Sequence, residues 1–415
     1  MNNYYIPFTE EMKKTHTILV PNMLPLHFQL IMEVLRTEGY KLDLLTAQGP
    51  QVRETGLKYV HNDTCYPAIL VIGQFLQALQ SGRYDPHKVA LILFQTGGGC
   101  RASNYISLLR KALEKAGYGY VPVISLSMTG IENHPGFQLS LSTWHRIIYA
   151  ALYGDLLLSL VNQVKPYELH RGDAEALAER FAKELAEEKV SFRRAKQRYR
   201  DILDAVAAIP MERTQKVQVG IVGEIYVKFS PLGNNNLEQM LVDQGAEVTI
   251  PGLLDFAIYC VYNMVLDYQL YHRGRLTYPA AKFAYRFITK KKRQLIALIE
   301  EHGVFKAPTP FEHTVELIQD HIGMGCKMGE GWLLPAEMLE LADSGVENIV
   351  CTQPFGCLPN HIVGKGMMKP LKEANPRMNI VAIDYDASAS HVNQENRIKL
   401  MLSNARKNLE EKVPV

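Results

Sequence analysis

Apolar positions along the first 130 residues fall into short unbroken runs separated by stretches of helical periodicity. THTILVP (15–21), KLDLL (41–45), KVALILF (88–94) and VPVISLS (121–127) read as strands. Between them, residues 25–40 and 68–80, and the segment from the glycine loop to about 116, carry apolar residues three and four apart, as amphipathic helices do. Strands alternating with helices at this spacing predict a parallel sheet covered on both faces. From Trp144 to about Ile209 the period is helical almost throughout, and Pro210 closes it. QKVQVGIVGEIYV (215–227) opens a second alternation, with strands expected at GAEVTIP, ENIVC and MNIVAID. Helices are expected at 237–245, 332–343, 360–375 and 391–405, and residues 253–321 read as a second helical block.

The predicted fold class is therefore α/β: two doubly wound parallel-sheet domains with intervening helical blocks. Residues 1–143 form the first domain, 144–214 a helical connection, and 215–415 the second domain with its helical insertion at about 253–321. A chain of 415 residues is too long for one small core. No low-complexity segment and no repeat of 20–50 residues interrupts the pattern.

Composition narrows the function classes. Apolar residues make up 47% and charged residues 21%, with a formal charge of +2, which offers no electrostatic case for nucleic acid. The dense basic run Lys290–Arg293 sits in a helical pattern and reads as a solvated face. No run reaches the 18 or so consecutive apolar residues of a membrane span. The N-terminus MNNYYIPFTEEMKK lacks an apolar segment behind a basic start, so a cytoplasmic protein without membrane contact is expected. In that compartment the six cysteines are not expected to form structural disulfides.

The thiols carry the chemistry. In open α/β sheets ligands bind beyond the carboxyl ends of the strands, and five of the six cysteines are expected in loops that lead into helices. Cys65 lies in HNDTCYPA, Cys100 in QTGGGCRASNY, Cys326 in GMGCKMGEGW, and Cys351 and Cys357 in CTQPFGCLPNH. Cys260, in DFAIYCVYNMV, has the setting of a helical core residue. Zinc sites favour closely spaced cysteine pairs, which this chain lacks. A single catalytic thiol at Cys100, with its pKa lowered by the following helix, would leave the other cysteines unexplained. QTGGGC matches neither common phosphate-binding glycine pattern. An iron–sulfur cluster accounts for more: its ligands are thiolates, and the backbone N–H groups of Gly97, Gly98 and Gly99 would face its sulfides.

The segments HNDTCYPAILVIGQ, QTGGGCRASNY, VGEIYVKFSPLGNNNL, GEGWLLPAEM, CTQPFGCLPNHIVGKGM and IDYDASASHVNQENRIKLM together resemble a known group. From about residue 16 to 405 the chain is similar to the C-terminal portion of acyl-CoA dehydratase activase-related proteins. It also resembles the wider 2-hydroxyacyl-CoA dehydratase / benzoyl-CoA reductase subunit superfamily, including its double-cubane cluster proteins. The resemblance implies an oxygen-sensitive iron–sulfur cluster, either 4Fe–4S or a double cubane 8Fe–9S, held by cysteines between α/β domains. It implies low-potential electrons from an ATP-hydrolysing activator with its own cluster, passed singly to a small-molecule or acyl-CoA substrate, in a homodimer or heterodimer. No ATPase phosphate loop is present in this sequence, so the activator would be a separate chain. Six cysteines suit a double cubane only if Cys260 is a ligand; a single cluster needs three or four of the loop cysteines.

Around the thiols, Glu330 is a candidate acid–base group or a helix cap, and His361 a candidate proton donor or a helix-start packing residue. Asn62, Asp63 and Asn104 read as turn residues, while Asp384 and Asp386 flank a strand end. Two other readings stay open: a cluster-carrying electron relay without catalysis of its own, and a zinc or thiol protein on the same scaffold.

Overall fold

The computed structural model describes residues 5–95, 99–126 and 132–411. Eight strands form two four-stranded sheets, both wholly parallel. The first contains β1 (Thr17–Pro21), β2 (Lys41–Leu45), β3 (Val89–Phe94) and β4 (Val123–Leu126) in the order β2-β1-β3-β4. The second contains β5 (Val217–Gly223), β6 (Ala246–Thr249), β7 (Asn348–Pro354) and β8 (Asn379–Tyr385) in the order β6-β5-β7-β8. The two orders are the same, so each sheet reverses direction once, between β1 and β3 and between β5 and β7. Ligands of such sheets bind in the crevice at that reversal.

The helical connection and the helical insertion are both present, as the helices Leu141–Val164, Asp173–Glu187 and Ala195–Ala207 and then Leu253–Tyr271, Tyr278–His302 and Phe311–Ile318. They share one apolar core, in which Leu157, Ile202, Ile258 and Trp332 are fully buried. Leu141–Val164 is long and apolar enough to cross a membrane, but 67% of its apolar window is buried inside the molecule, as in a core helix.

Among the described residues four helices escaped the periodicity: Glu10–Thr15, Pro50–Tyr59, Ile225–Phe229 and Pro231–Asn234. The second is mostly polar and is held by close packing against the helix Tyr66–Gln80. A Cβ on Gly73 would lie 2.0 Å from the Val52 carbonyl oxygen, and one on Gly56 would lie 2.1 Å from that of Ile69. Only glycine admits this approach. The helix Tyr66–Gln80 is buried on nearly every side. Ile69, Leu70, Ile72, Phe75 and Leu76 are each at most 1% exposed, and each contributes about 1.5–3 kcal/mol by burial. Its core cluster takes Leu19 and Leu91 from the first sheet and Val219 and Ile383 from the second, so the two α/β units pack through it.

Candidate functional site

The loops that follow the strand ends of both sheets meet. Tyr66 N donates to Phe355 O at 3.2 Å, and Gly99 N donates to the Met328 thioether at 3.2 Å. These contacts bring Cys65, the residue before the helix Tyr66–Gln80, to Cys357, in the loop after β7. The Cys65 thiol hydrogen-bonds to that of Cys357. Cys100, before the turn Arg101–Asn104 that leads into the helix Tyr105–Lys115, faces the same space. Gly329 lies against it, at φ +60°. A side chain there would be strained and would meet Pro359 at 3.2 Å and the Cys100 sulfur at 3.7 Å. Three thiols from three separate loops thus converge between the sheets.

N–H groups are aimed at two of these sulfurs. Ala102 N–H bonds to the Cys100 sulfur. Asn360 serves Cys357 twice, with its backbone N–H and with Nδ2 at 3.3 Å. Asn360 is fully buried and begins a π-helical turn, Asn360–Lys365, where an unbroken α-helix was expected. Such wide turns recur at functional sites.

Burial dominates the acid–base state of Cys100. It pushes Cys100 up to about 12, with Glu330, Cys357 and Glu224 adding to it. This overturns the expectation that the following helix lowers the Cys100 pKa: desolvation outweighs the single backbone N–H. Cys357 is raised well above an ordinary thiol, first by the Cys65 hydrogen bond, then by burial and Glu330.

Two buried carboxyls stand beside the thiols, and spacing did not single out one of them. Glu224 follows β5 and accepts from Val227 N at 2.9 Å, capping the helix Ile225–Phe229. Glu330 precedes the helix Leu333–Asp343, but the helix start it caps is the neighbouring one, through Ile225 N at 3.0 Å, and it also accepts from Asn360 Nδ2 at 3.4 Å. Burial raises both, Glu224 well above the usual carboxylate range. The strand expected over 215–227 stops at Gly223, because Glu224 caps the helix Ile225–Phe229, and the turn of that glutamate toward the distant cysteines was not legible.

The remaining predicted residues divide. Cys351 is not in a loop: β7 continues to Pro354, and the thiol is fully buried in an apolar cluster with Met338, Ile349 and Leu371. The strand runs on because Thr352, Gln353 and Pro354 pair with Ile383, Asp384 and Tyr385 of β8. Burial lifts the Cys351 thiol to about 12. Cys260 lies in the helix Leu253–Tyr271 as expected, also raised to about 12 by burial, with Glu330 contributing. Cys326 is half-buried in its loop, and its carbonyl accepts from Trp332 N at 2.8 Å. Cys260, Cys326 and Glu330 all act on the buried Tyr259 hydroxyl, so they stand near one another.

His361 donates from Nδ1 to Cys357 O at 2.8 Å, and its Nε2 lies 3.5 Å from Asp384 Oδ1. Asp386 accepts from Ser388 in a turn, and the Asp63 carbonyl accepts from Arg101 at 2.6 Å. Gly99 is at the site through Met328; Gly97 and Gly98 lie outside the described residues. Met328, Phe355, Leu358 and Ile362 are exposed on the loops that carry the thiols.

Among the described residues, no three His, Cys, Asp or Glu side chains are gathered as one metal ion requires. A polynuclear cluster spreads its thiolates over several irons and so holds them further apart. Cys65, Cys100 and Cys357 fit that chemistry: they are soft donors, two of them already receive N–H bonds, and their space is bounded by glycine. The carboxyls fit it in their neutral forms, which their raised pKa values favour. Compared with known proteins, the chain matches no family model and no curated sequence.

Proposed function

We propose that the chain is an iron–sulfur protein of the 2-hydroxyacyl-CoA dehydratase type, which takes low-potential electrons from a separate ATP-hydrolysing activator and hands them singly to a bound substrate. The supporting observation is the convergence of Cys65 with Cys100, after β3, and Cys357, after β7, with N–H donors on two of the sulfurs. Those three cysteines would hold a cubane, and Cys260 and Cys326, which both act on Tyr259, are the remaining candidates for a second. A bound cluster would supply one-electron chemistry at low potential.

The chain's own residues do the rest. Asn360 and Ala102 donate N–H bonds that favour the more negative, reduced state of the sulfurs they touch. Cys65, Cys100 and Cys357 would hold the cluster as thiolates, so their thiol protons would be released on loading. Burial raises Glu330 and Glu224, which favours their protonated forms beside the site. His361 is held by the Cys357 carbonyl, so its Nε2 faces Asp384. The exposed Met328, Phe355, Leu358 and Ile362 offer an electron-donating partner an apolar landing close to the thiols.

The test is iron and acid-labile sulfide per chain after strictly anaerobic purification, with an EPR spectrum of the dithionite-reduced protein. About four irons match one cubane and about eight a double cubane. A chain that holds no iron after reconstitution overturns the reading.

A further inference from the structure

A second cleft lies away from the thiols, along the open edge of the second sheet. β8 is an edge strand, and the helices Gly366–Ala374 and His391–Glu411 pack beside it. The cleft they enclose has a volume of about 470 Å³, within the range of small-molecule sites. One wall is apolar, from Met368 and Val381, and the remainder is dominated by cations from both helices.

Those cations are not equivalent. Lys365 is turned to Asp384 at 3.6 Å, and Lys369 makes a solvent-exposed pair with Glu373 at 3.7 Å. Lys372 donates to Ile380 O at 3.0 Å and has no carboxylate partner among the described residues. Arg397, on the opposite helix, lines the cleft with no acceptor among the described residues. Lysines along an edge strand ordinarily block the pairing of another strand, and the bond from Lys372 to the Ile380 carbonyl does so here. That role does not extend to Arg397, which stands on a helix across the cleft. With the edge carbonyl covered, an extended peptide loses a main-chain acceptor, while a compact anion between the two cations loses nothing.

We propose that this cleft binds a phosphorylated small molecule bearing a flat apolar group, the chemistry of a nucleotide, with the phosphates between Lys372 and Arg397 and the apolar group on Met368 and Val381. Guanidinium and ammonium groups bind phosphate through charge-assisted hydrogen bonds, and the half-buried Met368 is a deformable surface for a ring. The site is independent of the thiols, so it does not rest on the cluster reading.

Calorimetric titration of the purified full chain with ADP, adenosine and pyrophosphate at low salt tests it, in protein with or without iron. ADP is expected to bind, to weaken as salt is raised, and to bind at least about ten-fold more tightly than adenosine or pyrophosphate. Arg397→Gln, on an exposed helix surface, and Lys372→Gln are each expected to weaken ADP by about ten-fold or more, the worth of one charge-assisted hydrogen bond. Absence of ADP binding, or ADP affinity unchanged in both variants, overturns the proposal. Pyrophosphate binding as tightly as ADP overturns the nucleotide assignment. None of these outcomes alters the iron content, so the two readings fail separately.

Discussion

Asn360 Nδ2 lies 3.3 Å from the Cys357 sulfur and 3.4 Å from Glu330 Oε2, so one buried amide serves a thiol and a carboxyl at once. The Asn360 carbonyl in turn accepts from Gln353 Nε2 at 3.1 Å, which fixes the π-helical turn onto β7. The residue is thereby a joint between the second sheet and the thiol site.

In the iron-loaded protein, Asn360→Leu removes an N–H bond from a ligand sulfur. The reduction potential is expected to fall by about 40 mV, the equivalent of about 1 kcal/mol for a one-electron couple. An EPR-monitored redox titration reads this shift directly. An unchanged or higher potential would show that the amide does not act on the cluster.

The six thiols are expected to separate into classes. Cys65→Ala, Cys100→Ala and Cys357→Ala should each lower iron per chain. Cys351→Ser should leave iron unchanged while lowering stability by about 1–3 kcal/mol, because it puts a hydroxyl into an apolar cluster. Iron analysis beside urea denaturation distinguishes them, and loss of iron in Cys351→Ser would make the strand thiol a ligand.

Stability should fall as pH rises through the weakly acidic range. Burial raises the Glu337 pKa from 4.5 to about 7, against the opposing pull of Lys228 at 2.8 Å. Between those values the folded chain keeps a proton that the unfolded chain has released, so each step up in pH favours unfolding. For Glu337 the span amounts to about 3 kcal/mol, complete by about pH 7, and Glu224, Glu330, Glu340 and Asp255 are shifted in the same direction. Urea midpoints at pH 5.5 and 7.5 measure it. Glu337→Gln should flatten the profile, and a midpoint that rises with pH would contradict this account.

Gly73→Ala should destabilise the chain by at least about 1–3 kcal/mol, because the added methyl meets the Val52 carbonyl with no flexible side chain to yield. The helix that carries Cys65 at its start would move, so iron content should fall with stability. Thermal unfolding and iron analysis of the same preparation check both; a variant as stable as the parent would mean that the helices separate at no cost.

The strands were legible because each is a short apolar run of a buried parallel sheet, and the helical blocks because their period extends over many turns. Pro50–Tyr59 was not, since its sequence is polar and its stability comes from glycine contacts with another helix. Among the thiols, the loop positions of Cys65, Cys100, Cys326 and Cys357 were readable from their Gly and Pro neighbours. Cys351 was misplaced because strand pairing with β8 carries β7 three residues further than its apolar run.

The sequence by itself determined the α/β alternation, the helical blocks and the loop setting of Cys65, Cys100, Cys326 and Cys357, because those are properties of neighbouring residues. Tertiary structure alone decided which thiols meet, that Glu224 and Glu330 stand beside them, and that their environment is dry enough to hold thiols and carboxyls in their protonated forms. Those facts depend on two sheets facing one another across a shared buried helix, and on the cost of removing charge from water. Neither is a property of any local stretch of the chain.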